Sequence, residues 1–172
     1  MRRILASGAL LILMAALQTV PSTVYAAAVS SDCPVTQPNG VRFFDADPAG
    51  GNHGNRALIT SLWPHGTIVF KPGGPGYVLS DGSLSMKLPW WRVQAGKLRV
   101  EGRRLDGGSL PLRAEIPSGY GDSGFQATAL IFPRPGCWEV TGRVGDARLR
   151  FITLVEKIGD GPIRTHAAPL NQ

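Results

Sequence analysis

The stretch that decides the fold is residues 137–158, which read CWEVTGRV, then GD, then ARLRFITLVEKI. Gly145 and Asp146 interrupt it, and both residue types favour tight turns. After this turn one set of side chains returns at every second position: Leu149, Phe151, Thr153 and Val155. A period of two places alternate side chains on opposite faces of a β-strand. The stretch therefore predicts two strands joined by a short turn.

The same pattern continues toward the N-terminus. Alternating or apolar-rich runs lie at residues 83–88, 97–104, 110–116 and 125–132, with Gly and Pro between them. Short strands at this spacing, separated by turn residues, are typical of a sandwich or a barrel. The sequence predicts an all-β fold, an immunoglobulin-like β-sandwich with an irregular N-terminal extension. The runs at 97–104, 110–116, 125–132, 137–144 and 147–157 are predicted to be its strands B, C, E, F and G.

Four segments are predicted along the chain. Residues 1–26 form a signal peptide, and residues 27–82 form an N-terminal extension whose short strands pack on the sandwich. The sandwich itself covers residues 83–158, and residues 159–172 form a loose tail. The extension is set apart because residues 27–56 are rich in Pro, Gly and Asn, a composition typical of loops.

The N-terminus has the order of a secretory signal. Arg2 and Arg3 precede an apolar run over residues 4–20, and small residues follow up to Ala28. The alternative is a membrane anchor, but the uninterrupted apolar run is shorter than the roughly 20 residues that a spanning helix needs. We therefore expect cleavage near residue 26 and a secreted, periplasmic or cell-envelope location, with membrane contact only during export.

Size and charge limit the classes of function. Removal of residues 1–26 would leave about 146 residues, which is enough for one domain. The chain has 18 Lys and Arg against 12 Asp and Glu, and two arginines leave with the signal, so the mature balance is 16 against 12, or +4. The basic pairs Arg103-Arg104 and Arg148/Arg150 are the nearest approach to a basic run. Nucleic-acid binding needs a clustered basic face, so we interpret these charges as a solvated surface and expect no nucleic-acid partner.

The chain has two cysteines, Cys33 and Cys137. An even number of cysteines in an exported protein indicates a disulfide, because the compartment is oxidising. The bridge would close a loop of about 105 residues, which in the chain-entropy model contributes on the order of 4–5 kcal/mol. The alternative is a pair of free buried thiols.

Several strings of residues carry a resemblance. The most specific is GCWEVTG at 136–142, and the others are CPVT at 33–36, KLPWWR at 87–92, EGRRLD at 101–106, GYG at 119–121, GFQ at 124–126 and FP at 132–133. Together they resemble a family of uncharacterised exported bacterial proteins over roughly residues 33–156. The resemblance implies an exported bacterial β-domain and brings no activity, cofactor or site residue with it.

Residues 121–124 read Gly-Asp-Ser-Gly, a string that also surrounds the nucleophile of trypsin-like proteases. A serine nucleophile needs a histidine base and a carboxylate that orients it. The candidates for these two roles are His53, His65, Asp81 and Asp106. The mature chain is too short for the two barrels of that family, and Gly, Asp and Ser favour turns. We therefore interpret Ser123 as a turn residue and predict no catalytic residue.

The sequence predicts neither a metal site nor a cofactor. His53, His65 and His166 are far apart and lack the paired spacing of zinc ligands. Asp45 and Asp47 half-resemble a calcium loop, but the positions around them do not supply the remaining ligands. An ordinary loop is the preferred interpretation.

Trp90, Trp91 and Arg92 are the candidate binding residues. Neighbouring residues of a strand face opposite ways, so one indole is expected in the core and the other on the outer face. An exposed indole can stack on a sugar ring or anchor a partner protein, with Arg92 as a polar contact. In the alternative, the pair fills the junction between the N-terminal extension and the sandwich.

The sequence thus predicts an exported non-enzymatic β-domain that acts as an interaction or structural module. Its partner would be an envelope or extracellular protein or a glycan. One alternative is a glycan- or ligand-binding module that uses an exposed Trp, and a hydrolase is the less favoured alternative, because no acid–base or nucleophile set is visible.

Overall fold

The computed structural model describes residues 33–44 and 50–165, so the predicted signal peptide lies outside the described residues. Within the described ranges the chain forms β-strands and a 3-10 turn at Pro64–Gly66, and no α-helix. The strands there are β1 (His53–Gly54), β2 (Leu58–Thr60), β3 (Thr67–Phe70), β4 (Tyr77–Leu79), β5 (Leu84–Arg92), β6 (Arg99–Arg104), β7 (Arg113–Glu115), β8 (Gly124–Phe132), β9 (Gly136–Val144), β10 (Ala147–Lys157) and β11 (Arg164–Thr165).

These strands form two packed sheets, which confirms the predicted all-β sandwich. In sheet A, β5 lies between β8 on one side and β2 and β4 on the other, which pair with opposite halves of β5. Beyond these strands β7 pairs with β8, β1 with β2, and β11 with β4. Sheet B has the order β3-β10-β9-β6. The strands of both sheets are paired antiparallel, except for the parallel pairs β3–β10 and β4–β11.

The core lies between the sheets, on the strand faces that the alternation predicts. Leu84, Met86, Leu88 and Trp90 of β5 are buried, and so are the alternate side chains of β10: Leu149, Phe151, Thr153 and Val155. The rings of Trp90 and Phe151 are 6.2 Å apart between centroids, so the indole reaches from sheet A to sheet B. Burial of such a large ring contributes several kcal/mol, since replacing a buried Trp by Ala costs about 3–5 kcal/mol.

Packing explains both glycines of the GCWEVTG string. A Cβ atom at Gly142 would lie 2.5 Å from the ring of Trp90, so only a hydrogen atom leaves room for the indole. Gly136 has a φ of +144°, and a Cβ atom there would lie 2.5 Å from Nε of Arg104. The string therefore describes a strand shaped around one core indole and one surface ion pair.

The disulfide between Cys33 and Cys137 is present, with 5.5 Å between the Cα atoms, which confirms the prediction. From this bridge the N-terminal segment runs along the edge of β10, where the amide of Thr36 donates to the carbonyl of Ile152 at 2.9 Å. Farther on, the amide of Gly40 donates to the carbonyl of Asn52. The segment thus joins the edge of sheet B to the first strands of sheet A.

The predicted boundary at residue 83 needs a correction. The short strands before it do not pack on a finished sandwich, because they are members of its sheets. β2 and β4 pair with β5 in sheet A, and β3 pairs with β10 in sheet B. The edges of β5 and β10 would otherwise leave backbone groups unpaired, and the strands of residues 53–79 supply the missing partners.

Two of the predicted strand letters, B and C, are also wrong. A strand B at residues 97–104 would pair with strand E at 125–132, and a strand C at 110–116 would pair with strand F. Instead β6 pairs with β9, and β7 pairs with β8. The reason is that β5 takes the position beside β8 along all of its nine residues, so that β6 and β7 each take the next letter, C and D.

Residues 159–165 are not part of a loose tail. Arg164 and Thr165 form β11, which pairs in parallel with β4. The amide of Val78 donates to the carbonyl of Ile163 at 3.1 Å, and Pro162 is buried. The prediction missed this strand because two paired residues produce no periodic pattern. Residues 166–172 of the predicted tail lie outside the described residues.

Candidate binding face

The predicted exposed indole is absent, because both tryptophans are buried. Trp90 is 0 % exposed and Trp91 is 5 % exposed. Trp90 faces the core, as one of the two was expected to do, while Trp91 lies on the outer face of sheet A. There it packs edge-on against Phe125, with 5.7 Å between ring centroids, and Gly51 approaches its ring. A covered indole cannot stack on a sugar, so this geometry agrees with the alternative in which the pair fills a junction.

Arg92 has a structural environment as well. It is 3 % exposed, and its guanidinium donates to the carbonyl of Gly96 at 2.8 Å and to the carbonyl of Gly121. It thereby joins the loop after β5 to the loop before β8. A guanidinium engaged by two carbonyls in this way positions two loops and offers little to a ligand.

Ser123 lies in an exposed bend directly before β8, as expected for a turn residue. His53 on β1 is separated from β8 by β2 and β5, and at about 4.8 Å per strand the backbones are about 14 Å apart. His65 belongs to the 3-10 turn before β3, in the other sheet. Neither histidine is therefore placed beside Ser123, and the hydrolase hypothesis gains no support from this geometry.

The two carboxylates considered for such a triad are engaged elsewhere. Asp81 pairs with Arg113 at 2.9 Å, and hydrogen bonds from Ser83 hold the pKa of Asp81 below its usual value. Asp106 pairs with Arg104 at 2.6 Å and accepts from the amide of Cys137. Both carboxylates stabilise the structure locally.

The candidate metal ligands do not assemble either. In the described ranges no three His, Cys, Asp or Glu side chains lie close enough together to hold a metal ion. Asp45, Asp47 and His166 lie outside the described residues. His53 is buried, and burial lowers its pKa below the usual value of 6.5, which the nearby backbone of Arg150 and Gln37 offsets in part.

The most unusual surface is the outer face of sheet B, formed by the outward residues of β6, β9 and β10. Arg99 on β6 lies directly opposite Arg143 on β9, and Arg143 lies directly opposite Arg148 on β10. We call these three residues the arginine row. Directly opposed side chains have Cβ atoms about 4.5–5.5 Å apart, and like charges in such positions destabilise the sheet.

Ion pairs neutralise only part of this face. Glu101 accepts from Arg143 at 2.7 Å, while Glu139 accepts from Arg103 at 2.9 Å and from Arg150 at 3.2 Å. Among the described residues, Arg99 and Arg148 form no ion pair. With five arginines and three glutamates, the third being Glu156 near the end of β10, the face has a net charge of +2, and the excess of positive charge is at the arginine row.

A surface cavity of about 420 Å³ opens beside the arginine row. It is lined by Glu139, Thr141, Arg143, Arg148 and Arg150. Guanidinium groups, a hydroxyl and a carboxylate meet there on two neighbouring strands, β9 and β10. The cavity is thus a place where an anionic ligand with further polar groups would find both donors and an acceptor.

No protein-family model and no curated protein sequence matches this chain. None of the helical segments in the described ranges has the length and apolarity that crossing a bilayer requires. The function of the face is therefore inferred from its geometry and charge alone.

Sequence reasoning missed this face because its charges are scattered along the chain. The members of the arginine row are residues 99, 143 and 148, and only strand register places them side by side. A signal was nevertheless present. Arg99, Arg143 and Arg148 each occupy the polar set of an alternating strand, so all three were bound to face outward from the core.

Proposed function

We propose that this chain is an exported, non-enzymatic binding module that holds an anionic partner on the outer face of sheet B. The observation that carries the proposal is the arginine row. Sheets are stabilised when opposite charges or neutral side chains oppose each other, and three directly opposed arginines lower stability. A bound anion relieves that repulsion, so the row is better suited to a complex than to the free protein.

Three features support export. Residues 1–28 have the charge, apolar run and small residues of a secretory signal. The disulfide between Cys33 and Cys137 suits an oxidising compartment. The resemblance to exported bacterial proteins over roughly residues 33–156 points the same way.

The pairing of the strands supports an immunoglobulin-like sandwich in which β5 is strand B, β6 and β7 are strands C and D, and strands E, F and G are as predicted. The order β2-β5-β8-β7 corresponds to A-B-E-D, and the order β6-β9-β10 corresponds to C-F-G. β3 then adds a parallel strand beside G. In this assignment the proposed binding face is the outer face of the C-F-G sheet.

The proposal is tested on a sulfated polysaccharide column. The folded mature protein should be retained on heparin-agarose and eluted by salt, since screening weakens interactions between exposed charges. The triple variant R99Q/R143Q/R148Q should elute at much lower salt. The matched control R56Q/K87Q/R134Q removes the same number of charges from other exposed positions and should elute close to the wild type.

Two results would contradict the proposal. If the wild type passes through the column at low salt, the face does not bind polyanions. If the two triple variants lose retention equally, only the net charge of the protein matters, and the arginine row is no binding site.

A further inference from the structure

We infer that the ligand is an acidic saccharide, whose carboxylates bind the arginine row while its hydroxyls bind Glu139 and Thr141. This inference rests on the proposed function and adds the class of partner. Three observations carry it: the donors of the row, the acceptor in the wall of the cavity, and the length of the row.

The first observation concerns the donors. Arg148 has no ion-pair partner in the described ranges, and Arg143 forms an ion pair with one carboxylate, that of Glu101. Guanidinium groups bind carboxylates through two parallel hydrogen bonds, so that planar anions match their geometry best. Arg143 and Arg148, two of the three arginines that line the cavity, can therefore hold a carboxylate from adjacent strands.

The second observation is the acceptor. The Glu139 side chain is 13 % exposed, and its two oxygens accept one hydrogen bond each, from Arg103 and Arg150. An ionised carboxylate offers about four acceptor sites and no donor. A ligand beside Glu139 must therefore donate hydrogen bonds, as sugar hydroxyls do, whereas a sulfate has no hydrogen to donate.

Thr141 completes the polar set of the cavity. It lies between Glu101 and Arg150 in the strand register, on the outer face of β9. Its hydroxyl can donate and accept, so it suits a ring hydroxyl of a sugar. No ion pair involves Thr141, and a substitution there leaves the charge of the face unchanged.

The third observation is length. The arginine row crosses three strands, which at about 4.8 Å per strand places its outer members about 10 Å apart. The cavity of about 420 Å³ lies within the roughly 300–1,000 Å³ of small-ligand sites. A row of this length extends past a single sugar ring, so the geometry points to an oligosaccharide with charges along its length.

The test uses calorimetric titration of the folded mature protein with a panel of uronic acid oligosaccharides. The panel contains hexamers of galacturonate, glucuronate-containing hyaluronan and mannuronate–guluronate alginate. We expect saturable binding of at least one member and a loss of at least tenfold in affinity when its carboxylates are reduced to alcohols. Arg148→Gln should also lower the affinity at least tenfold.

Two variants separate sugar recognition from charge attraction. Thr141→Val keeps the shape, the strand preference and the charge, and Glu139→Gln removes the acceptor charge. Both should lower affinity for the acidic oligosaccharide severalfold, while retention on a sulfonated polystyrene cation exchanger, which has no sugar hydroxyls, stays equal for Thr141→Val and rises for Glu139→Gln. Thermal unfolding of each variant checks that the fold is intact, and Thr141→Val remains informative if Glu139→Gln unfolds.

The outcomes distinguish this inference from the proposed function. If heparin retention depends on the arginine row but no uronic acid oligosaccharide binds, the inference is wrong and the proposed function stands. Binding of inorganic phosphate or of phosphatidylglycerol vesicles, tighter than that of every oligosaccharide, would overturn it in the same way. If neither heparin nor any oligosaccharide binds, both fail.

Discussion

The two outer faces of the sandwich carry matching rows with opposite chemistry. On sheet A, Ile59, Trp91 and Phe125 lie directly opposite one another on β2, β5 and β8. On sheet B the corresponding row across β6, β9 and β10 is arginine throughout. Both rows point away from the core, and neither could be predicted to be covered or open from alternation alone.

The difference lies in what covers each row. Gly51 approaches the ring of Trp91, and a Cβ atom at Gly51 would lie 2.7 Å from Ile59, so the chain itself buries most of the apolar row. Only Phe125 remains 46 % exposed. The arginine row has no such cover in the described residues. In this protein the apolar outward row is buried by its own chain, whereas the charged outward row stays open to solvent.

The largest expected effect on stability comes from the disulfide that ties the N-terminal segment to β9. The double variant C33S/C137S removes this bond. In the chain-entropy model a bridge over 104 residues contributes about 4–5 kcal/mol. We expect the free energy of unfolding, measured by urea denaturation, to fall by several kcal/mol. A decrease below about 1 kcal/mol would mean that the unfolded state gains little freedom when the bridge is absent.

The next effect tests the apolar row. Trp91→Ala should lower the free energy of unfolding by about 3–5 kcal/mol, because the indole is buried although it lies on an outer face. The control is Arg99→Ala on the other face, where an exposed side chain without an ion pair should change stability by less than about 0.5 kcal/mol. Equal effects of the two substitutions would remove the distinction between a covered and an open face.

Alternation was enough to predict the core. The buried positions of β10 and of the first part of β5 were correctly read as one face of each strand, and the disulfide followed from the compartment. The local period of two decides which side chains of a strand face the core. The long strands β5, β8, β9 and β10 have nine to eleven residues each, which is enough to show that period.

Strand pairing and the burial of outward-facing side chains could not be predicted, because they depend on contacts between distant residues. The predicted order gave no letter to β5, whose alternating run was recognised only over residues 83–88, and this gave β6 and β7 the wrong letters. Trp91 and Arg143 both occupy outward positions in alternating runs. Only the path of residues 50–52 decides that one is buried, and only strand register gives the other two arginine neighbours.

A smaller effect on the free energy of unfolding is expected from pH, through His53. His53 is buried beside the backbone of Gln37 and Arg150, and burial lowers its pKa in the folded state below the usual 6.5. The folded state thus binds fewer protons than the unfolded state, so stability is complete above about pH 6.5 and decreases as pH falls through that value toward the lower folded-state pKa. Asp81, whose pKa is held below its usual value, titrates at lower pH.

Urea denaturation at about pH 7.5 and pH 5.5 measures this slope. His53→Gln should flatten it, because the variant has no proton to bind at that position. His65→Asn is the control, since His65 is exposed and its positive φ of 55° suits asparagine. If the slope disappears in the His65 variant and persists in the His53 variant, the pH dependence of stability does not come from His53.

The smallest expected effect bears most directly on the arginine row. Arg148 is exposed, has no ion pair in the described ranges and lies opposite Arg143, so Arg148→Thr removes repulsion and places a β-favouring residue in the strand. We expect a gain in stability of about 0.2–1 kcal/mol at low salt, and the part of it that comes from charge repulsion should vanish near 0.5 M salt as screening takes over. Arg150→Thr is the matched control two residues along the same strand face: it breaks the pair with Glu139 and should be neutral or destabilising.

If Arg148→Thr destabilises the protein as much as its control, the row is not repulsive, and the principal reason for placing an anionic partner there is lost. If it stabilises the free protein and also weakens retention on heparin-agarose, the same side chain lowers stability and improves binding, as expected for a residue that serves a complex.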